Sequence, residues 1–378
     1  MPARAIATIL TLLALLHLYI GMRLLPALAL GWVGGSAAVV LLVASTLLLP
    51  AGLVAPRLRR RRWSAALAWS ALLAMGLFSS VLVLTVLRDL LLLALALAGA
   101  GGIRFAHASA QAVPLLALGA SAIGLINARR VASVVEVEVP IAHLPAALEG
   151  YAIVQISDIH VGPTIRRAYL EAIVAKVNAL DADAIAITGD VVDGSVRQLS
   201  AHTAPLARLR ARDGAFFVTG NHEYYSNAEQ WIEEMRRLGL TVLMNQHVLR
   251  ERAGSQLMIA GVSDFSAHHF HESHRSDPQA AAAGAPEHVA VRVLLAHQPR
   301  SAPAALAAGF DLQLSGHTHG GQFFPWNLFV PLQQPFTAGL HRLQGLWVYT
   351  SRGTGYWGPP KRFGAPSEIT RLRLVRAR

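Results

Sequence analysis

At 378 residues the chain is longer than one typical domain, and its mean hydropathy of +0.42 is too high for a wholly soluble enzyme. The formal charge of +11 divides into +8 up to residue 128 and +3 beyond it. The arginine excess therefore belongs to the apolar half, and with no basic-aromatic interleaving in the second half a nucleic-acid partner is excluded. The absence of cysteine rules out disulfides and thiolate metal sites but leaves the compartment open.

Residues 5–22, 27–50, 64–87 and 110–128 are each long, apolar and nearly free of charge. About 20 such residues cross a ~30 Å hydrocarbon core, and buried soluble helices would show a polar face that these lack. The apolar run at 89–100 is short, which predicts an interfacial or re-entrant helix. Four spans are expected, with five as the alternative, so a transmembrane helical region over 1–130 precedes a second domain over 131–378. Arginine clusters at 57–62 and at Arg129 and Arg130 are separated by an even number of spans. Both then face the cytoplasm of a bacterial-type inner or plasma membrane, and the second domain with them. A cleaved signal peptide over 1–22 is the rival, opposed by the further spans and a weak basic n-region. His17 is the sole ionisable side chain inside those spans, which argues against an ion pathway and a transporter.

The second half alternates strands and helices. Residues 134–139 read as an edge strand, and 152–156 as a buried strand leading to Asp158 and His160. A helix over 166–180 follows, with apolar residues at 170, 173, 174 and 177. Buried strands at 184–188 and 215–219 then lead to Asp190 and to Asn221 and His222, before a helix over 228–238. Residues 265–286 carry His268, His269, His271 and His274 and read as an inserted flexible loop, able to cover a site but without preorganised ligands. A strand at 291–295 leads to His297, and one at 311–314 to Ser-Gly-His-Thr-His-Gly-Gly-Gln at 315–322. Residues 346–349 and 369–374 read as closing strands of a second sheet. No solenoid repeat is present.

His317 and His319, one residue apart after a strand, are two imidazoles aimed from one loop. With Asp158, His160, Asp190, Asn221 and His297 they form a donor set of carboxylates, imidazoles and an amide oxygen, suited to two divalent ions such as Mn, Zn or Fe. Strand ends gathered on one sheet edge are where open α/β architectures hold ligands. A lone Asp-x-His or Gly-Asp is a turn. Five such blocks on strand ends make a metal site.

In order, Asp-x-His, Gly-Asp, Gly-Asn-His-Glu, His and Gly-His-x-His resemble the calcineurin-like metallophosphoesterase superfamily. The Gly-His-Thr-His-Gly-Gly-Gln ending, with Ser-Arg-Gly-Thr-Gly at 351–355, is similar to its YkuE-type branch, and the likeness covers about residues 150–375. It implies a four-layer α/β/β/α sandwich after an all-α transmembrane region. It also implies that Asp158, His160, Asp190 and His319 hold one ion and that Asp190, Asn221, His297 and His317 hold the other, with Asp190 as the bridge. His222 would be a general acid, not a ligand. Asp193 occupies the position of its carboxylate partner, with Glu223 as the rival. Arg352 is a candidate for binding substrate phosphate and equally a surface arginine. The implied activity is hydrolysis of a phosphate monoester, diester or pyrophosphate by hydroxide generated at the ions. The membrane region directs the expectation to a lipid-linked phosphate. Its sharper alternative is UDP-2,3-diacylglucosamine pyrophosphohydrolase activity in lipid A synthesis. The alternative from another class is a non-catalytic membrane sensor or scaffold, whose signature would be a missing ligand or acid; none is missing.

Overall fold

A computed structural model describes residues 3–54 and 61–377, which divide into two units. The first comprises the described residues up to Ile126 together with Gly358–Lys361; the second is Asn127–Trp357 with the described residues from Arg362 onward.

The first unit is helical: α1 (Ala3–Leu28), α2 (Gly31–Val54), α3 (Arg61–Leu97) and α4 (Ile103–Arg129), the last three residues of which are counted in the second unit. All four are long and apolar enough to cross a membrane, and many of their leucines point outward, as in a helix surrounded by lipid. A small core of Ile20, Leu24, Ala110 and Val113 joins α1 to α4. The 89–100 run is no separate re-entrant helix. It continues α3 without a break to Leu97. The reason is that Arg88 and Asp89 find partners without leaving the helix. Asp89 accepts from Tyr19 Oη and Arg23 Nε, each at 2.7 Å, and Arg88 donates to the Ala106 carbonyl at 2.9 Å and to Ser109 Oγ at 3.1 Å. The third candidate span therefore contains an ion pair, and His17 is not the only ionisable group in the spans. His17 itself stacks on Phe78 and meets Ser45 Oγ at 3.0 Å. Lys361, which belongs to this unit, donates to the carbonyl of Gly76 at 3.0 Å and to Ser121 Oγ at 3.2 Å. Of the arginine cluster at 57–62, residues 57–60 lie outside the described residues.

The second unit holds two six-stranded mixed sheets. One has strand order β1 (Ser133–Ile141), β12 (Glu368–Arg376), β2 (Ala152–Ile156), β3 (Ala184–Ile187), β4 (Ala215–Phe217) and β5 (Thr241–Val242). The other runs β10 (Gly339–Leu343), β11 (Leu346–Thr350), β9 (Leu312–Ser315), β8 (Val291–Leu295), β7 (Ser255–Gly261) and β6 (Gln246–Arg252). β2 to β5 run parallel, as do β7, β8, β9 and β11. β1 is an edge strand. β12, expected in the second sheet, instead lies in the first, parallel to β1 and antiparallel to β2. Its Ile369, Leu372 and Leu374 are fully buried, Leu372 and Leu374 between the sheets and Ile369 on the outer face.

Residues of both sheets share one core, including Ile153, Phe216, Val293, Leu314 and Leu372. The outer face of the first sheet is covered by α5 (Arg167–Asn178), α6 (Val196–Thr203) and α8 (Ala228–Arg237), a short α7 (Asn221–Tyr225) preceding α8. α5 buries Leu170, Ile173, Val174 and Val177, the stripe of a one-sided helix. α9 (Pro278–Ala282) and α10 (Ala302–Ala307) cover the second sheet. The architecture is the four-layer α/β/β/α sandwich. The histidine-rich segment is folded, not a flexible loop: 3-10 turns at Ala267–His269 and Glu272–His274 precede α9, which Asp277 caps by accepting from the Ala280 N–H at 2.9 Å. Ala267 and Ala281 are fully buried, Ala267 against Tyr224 and Ala228 and Ala281 in the cluster that covers the second sheet.

Candidate metal centre

The chain folds so that loops from both sheets meet at the carboxyl ends of their parallel strands. Asp158 and His160 follow β2, Asp190 follows β3, and Asn221 opens α7 after β4. His297 follows β8, and His317 and His319 follow β9. The loops after β2 and β3 continue pairing as they turn, with the N–H of Asp158 donating to the Gly189 carbonyl and that of His160 to Asp190. Five of these residues have left-handed backbones: Asp158 (φ 53°), His160 (56°), Asp190 (53°), His317 (71°) and His319 (52°). Such conformations cost about 1–3 kcal/mol each and collect at functional sites. Glycines allow the loops to close in. A Cβ on Gly220 would stand 2.2 Å from Asp190 Oδ1, and one on Gly316 would stand 2.2 Å from Asp158 Oδ2.

Ligand atoms converge in three groups: Asp158, His160 and His319; Asp190, His297 and His317; and His160, Asp193 and His222. His160 Nε2 and His319 Nε2 face each other at 3.0 Å, and His297 Nε2 faces His317 Nδ1 and Asn221 Oδ1, each at 3.2 Å. Asp190 Oδ2 lies 3.1 Å from His297 Nε2 and 4.0 Å from His160 Nε2, between the first two groups. Both acids are buried, and among the described residues their ion-pair partners are histidines alone. Two buried carboxylates facing imidazole nitrogens and an amide oxygen are a donor set that fits divalent cations. Burial pushes Asp158 upward; it pushes Asp190 upward too, but His297 outweighs it and holds Asp190 well below the usual range. Burial carries His317 down to about 3 and His319 well below its ordinary value, leaving both rings neutral with lone pairs to offer.

Partners outside the first two groups orient the rings. Asp193 Oδ1 accepts from Nδ1 of His160 at 2.9 Å and from Nδ1 of His222 at 2.7 Å, leaving both Nε2 atoms directed away from it. His297 Nδ1 donates to the Thr188 carbonyl at 2.7 Å. Burial alone would raise Asp193, yet His160 and His222 bring it to about 2. Burial opposes charge on His222, yet the bond to Asp193 and the charges of Asp190, Asp193 and Glu223 lift it to about 9.

Glu223, the rival partner for His222, is fully buried and engaged elsewhere: it accepts main-chain N–H groups of Gly220, Asp190 and Val191 at 2.7, 2.9 and 2.8 Å. Arg352 Nη1 pairs with Glu368 Oε2 at 2.8 Å rather than standing free. Sequence reading passed over Arg362, a fully buried guanidinium that donates to the carbonyls of His319 and Arg352 and whose Nη2 stands 3.1 Å from His319 Nδ1. It also passed over Trp357 and Tyr225, whose rings lie 5.7 and 5.2 Å from that of His222. Arg362 and Trp357 reach the site from a segment remote in sequence from the motifs, which no spacing rule marks, whereas Tyr225 stands on α7 three residues after His222, the spacing of neighbours on a helix. Of the His268–His274 group, His274 meets Tyr224 Oη at 3.0 Å through Nδ1, and none joins a candidate metal group among the described residues.

The calcineurin-like phosphoesterase family pattern matches residues 151–321. A Danio rerio protein described as a transmembrane protein with metallophosphoesterase domain is 40% identical over 262 residues, covering 67% of this chain and 60% of that one. The match to the corresponding Bos taurus protein likewise spans 60% of its length. The Bacillus subtilis metallophosphoesterase YkuE is 30% identical over 240 residues, covering 61% of this chain and 81% of YkuE. An Aquifex aeolicus metallophosphoesterase is 33% identical over 219 residues, with 57% of this chain and 82% of that one covered. By its sandwich, its converging acids and imidazoles and these likenesses, the chain belongs to the calcineurin-like metallophosphoesterase family.

Proposed function

We propose that this protein is a membrane-anchored phosphoesterase that holds two divalent ions and hydrolyses a phosphate ester, on a lipid-linked phosphate or phosphodiester. The observation that carries the reading is the convergence of two acid-imidazole groups around Asp190, with the His222–Asp193 pair beside them. In this reading Asp158, His160, Asp190 and His319 hold one ion, and Asp190, Asn221, His297 and His317 the other. Ions bound there would supply a nucleophile from water at neutral pH and balance charge on the phosphoryl oxygens.

The protein's own groups do the rest. Asp193 accepts a hydrogen bond from the Nδ1–H of His222 and keeps the ring charged, so that Nε2 can donate a proton to the departing oxygen. By holding Nδ1 of His160 in the same way, it leaves Nε2 of that ring as the ligand atom. Glu223 holds the main chain of the Asp190 turn and so the direction of its carboxylate. The lipid-linked substrate rests on the four apolar helices, which a soluble substrate would not require. The test is turnover of phosphomonoesters, phosphodiesters and lipid pyrophosphates by detergent-purified protein supplied with manganese, zinc or iron. Hydrolysis of none of them with metal bound would overturn the reading in favour of a sensor or scaffold.

A further inference from the structure

The chain leaving the His317–His319 turn is apolar and exposed. Residues 320–340 contain no Asp, Glu, Lys, Arg or His. Within them Phe324, Trp326, Leu328, Phe329 and Leu332 are 51, 43, 62, 52 and 81% exposed, on 3-10 turns at Trp326–Leu328 and Val330–Leu332. The segment is held in place. Gly321 (φ 77°) folds it back so closely that a Cβ there would stand 2.1 Å from Asn327 Cα, and Trp326 packs on Phe329. Its root is laced to the segment around Trp357. Gln322 Nε2 donates to the Trp357 carbonyl and the Trp357 N–H donates back to Gln322 Oε1, each at 2.8 Å, while the Phe324 N–H donates to the Phe363 carbonyl at 3.0 Å. Trp357 is itself 53% exposed and lies edge-on to His222. One apolar surface therefore starts beside the proposed acid and runs out to Leu332.

Contiguous exposed apolar surface of this kind marks an interaction site. Nucleobases would be served by the rings but not by Leu328 and Leu332. A lipid surface suits the whole set, because tryptophan and phenylalanine favour the headgroup boundary, leucine the acyl region, and no charge has to be desolvated. The same chain carries four helices long and apolar enough to cross a membrane. We propose that Phe324–Leu332, with Trp357, seats in the headgroup–acyl boundary of the bilayer, so that lipid-borne phosphate esters pass from the leaflet into the metal centre. The substrate part rests on the hydrolytic reading above; the docking part does not.

Two measurements on the full chain in phosphatidylcholine–phosphatidylglycerol vesicles separate the two parts. The first is quenching of Trp326 emission, isolated as the difference between wild type and Trp326→Phe, by lipids brominated near the top of the acyl chain. Quenching by half or more is expected. An unquenched Trp326 overturns the proposal, and emission that instead changes with protein-to-lipid ratio assigns the surface to a second copy. The second measurement is turnover by Leu328→Ser with Leu332→Ser. Loss of about tenfold on a phosphodiester carried by an acyl chain in the vesicle, with a water-soluble aryl phosphodiester within about twofold of wild type, is expected. Equal effects on the two substrates overturn the delivery role. If wild type hydrolyses neither, the hydrolytic reading has failed, and the quenching still decides the surface.

Discussion

Asp193 Oδ1 lies 2.7 Å from Nδ1 of His222, and both side chains stay charged, the carboxyl brought to about 2 by His160 and His222 together and the imidazole lifted to about 9 by Asp193 and Asp190. Their effects on turnover should therefore overlap. His222→Ala is expected to lower hydrolysis of an alkyl ester by about 10²- to 10⁴-fold with both ions retained. An aryl ester, whose phenolate leaves without a proton, should lose far less. Asp193→Asn should show the same dependence on leaving group and also weaken metal retention, because Asp193 orients His160 as well, so the double variant should be worse than His222→Ala only by that metal loss. Losses for His222→Ala that are equal on the two esters, with metal content unchanged, would assign His222 to orienting substrate.

Asp190 should be the least replaceable of the acids. Its Oδ2 lies between the two imidazole groups, so Asp190→Asn is expected to abolish hydrolysis and lower metal content at both sites, whereas His160→Asn lowers it at one. Metal analysis of the purified variants decides this: two ions retained per Asp190→Asn chain would remove the bridging role.

Glu223→Gln exchanges a carboxylate accepting three main-chain N–H groups for an amide that turns one donor against another. A cost of about 1–3 kcal/mol is expected for the unmet buried groups. It should be seen as a lower melting temperature in detergent together with weaker metal retention. Glu229→Gln, on the exposed face of α8, serves as the control. An unchanged melting temperature for Glu223→Gln would mean that the Asp190 turn stands without it.

Orientation is tested by reporters. A fusion at the C-terminus should behave as cytoplasmic, and an insertion near His107 should lie on the other side. Alkaline phosphatase activity from the C-terminal fusion would reverse the arrangement. The arginine signal on α4 is weaker than it looks, since Arg129 donates to the Thr164 carbonyl and Tyr356 Oη and so also serves packing.

What could be read from the sequence was what lies close together along it. Asp158 and His160, or His317 and His319, stand within a few residues of the apolar strand that aims them, so strand and donor are visible in one window. The stripe of α5 is local in the same way. The place of β12 could not be read, because alternation identifies a strand but not its neighbours, and its seat between β1 and β2 is decided by packing more than 200 residues away in sequence. Arg88 and Asp89 looked like the end of a span because their partners Tyr19, Arg23, Ala106 and Ser109 come from other helices. Arg362 was invisible for a similar reason: it contacts His319 from 43 residues downstream.

The left-handed backbones at Asp158, His160, Asp190, His317 and His319 decide which replacements can be interpreted. Alanine scanning is the usual way to weigh such residues, but at these positions alanine alters the loop as well as the chemistry. Asparagine enters the left-handed region more readily than alanine and far more readily than a β-branched residue. Asp158→Asn and Asp190→Asn therefore report mainly on lost charge, whereas Asp158→Ala or Asp190→Val would combine lost charge with a displaced turn. For the three histidines the informative pair is asparagine against alanine: the difference in their metal affinities measures how far the main chain, rather than the ring, has been tuned to hold an ion.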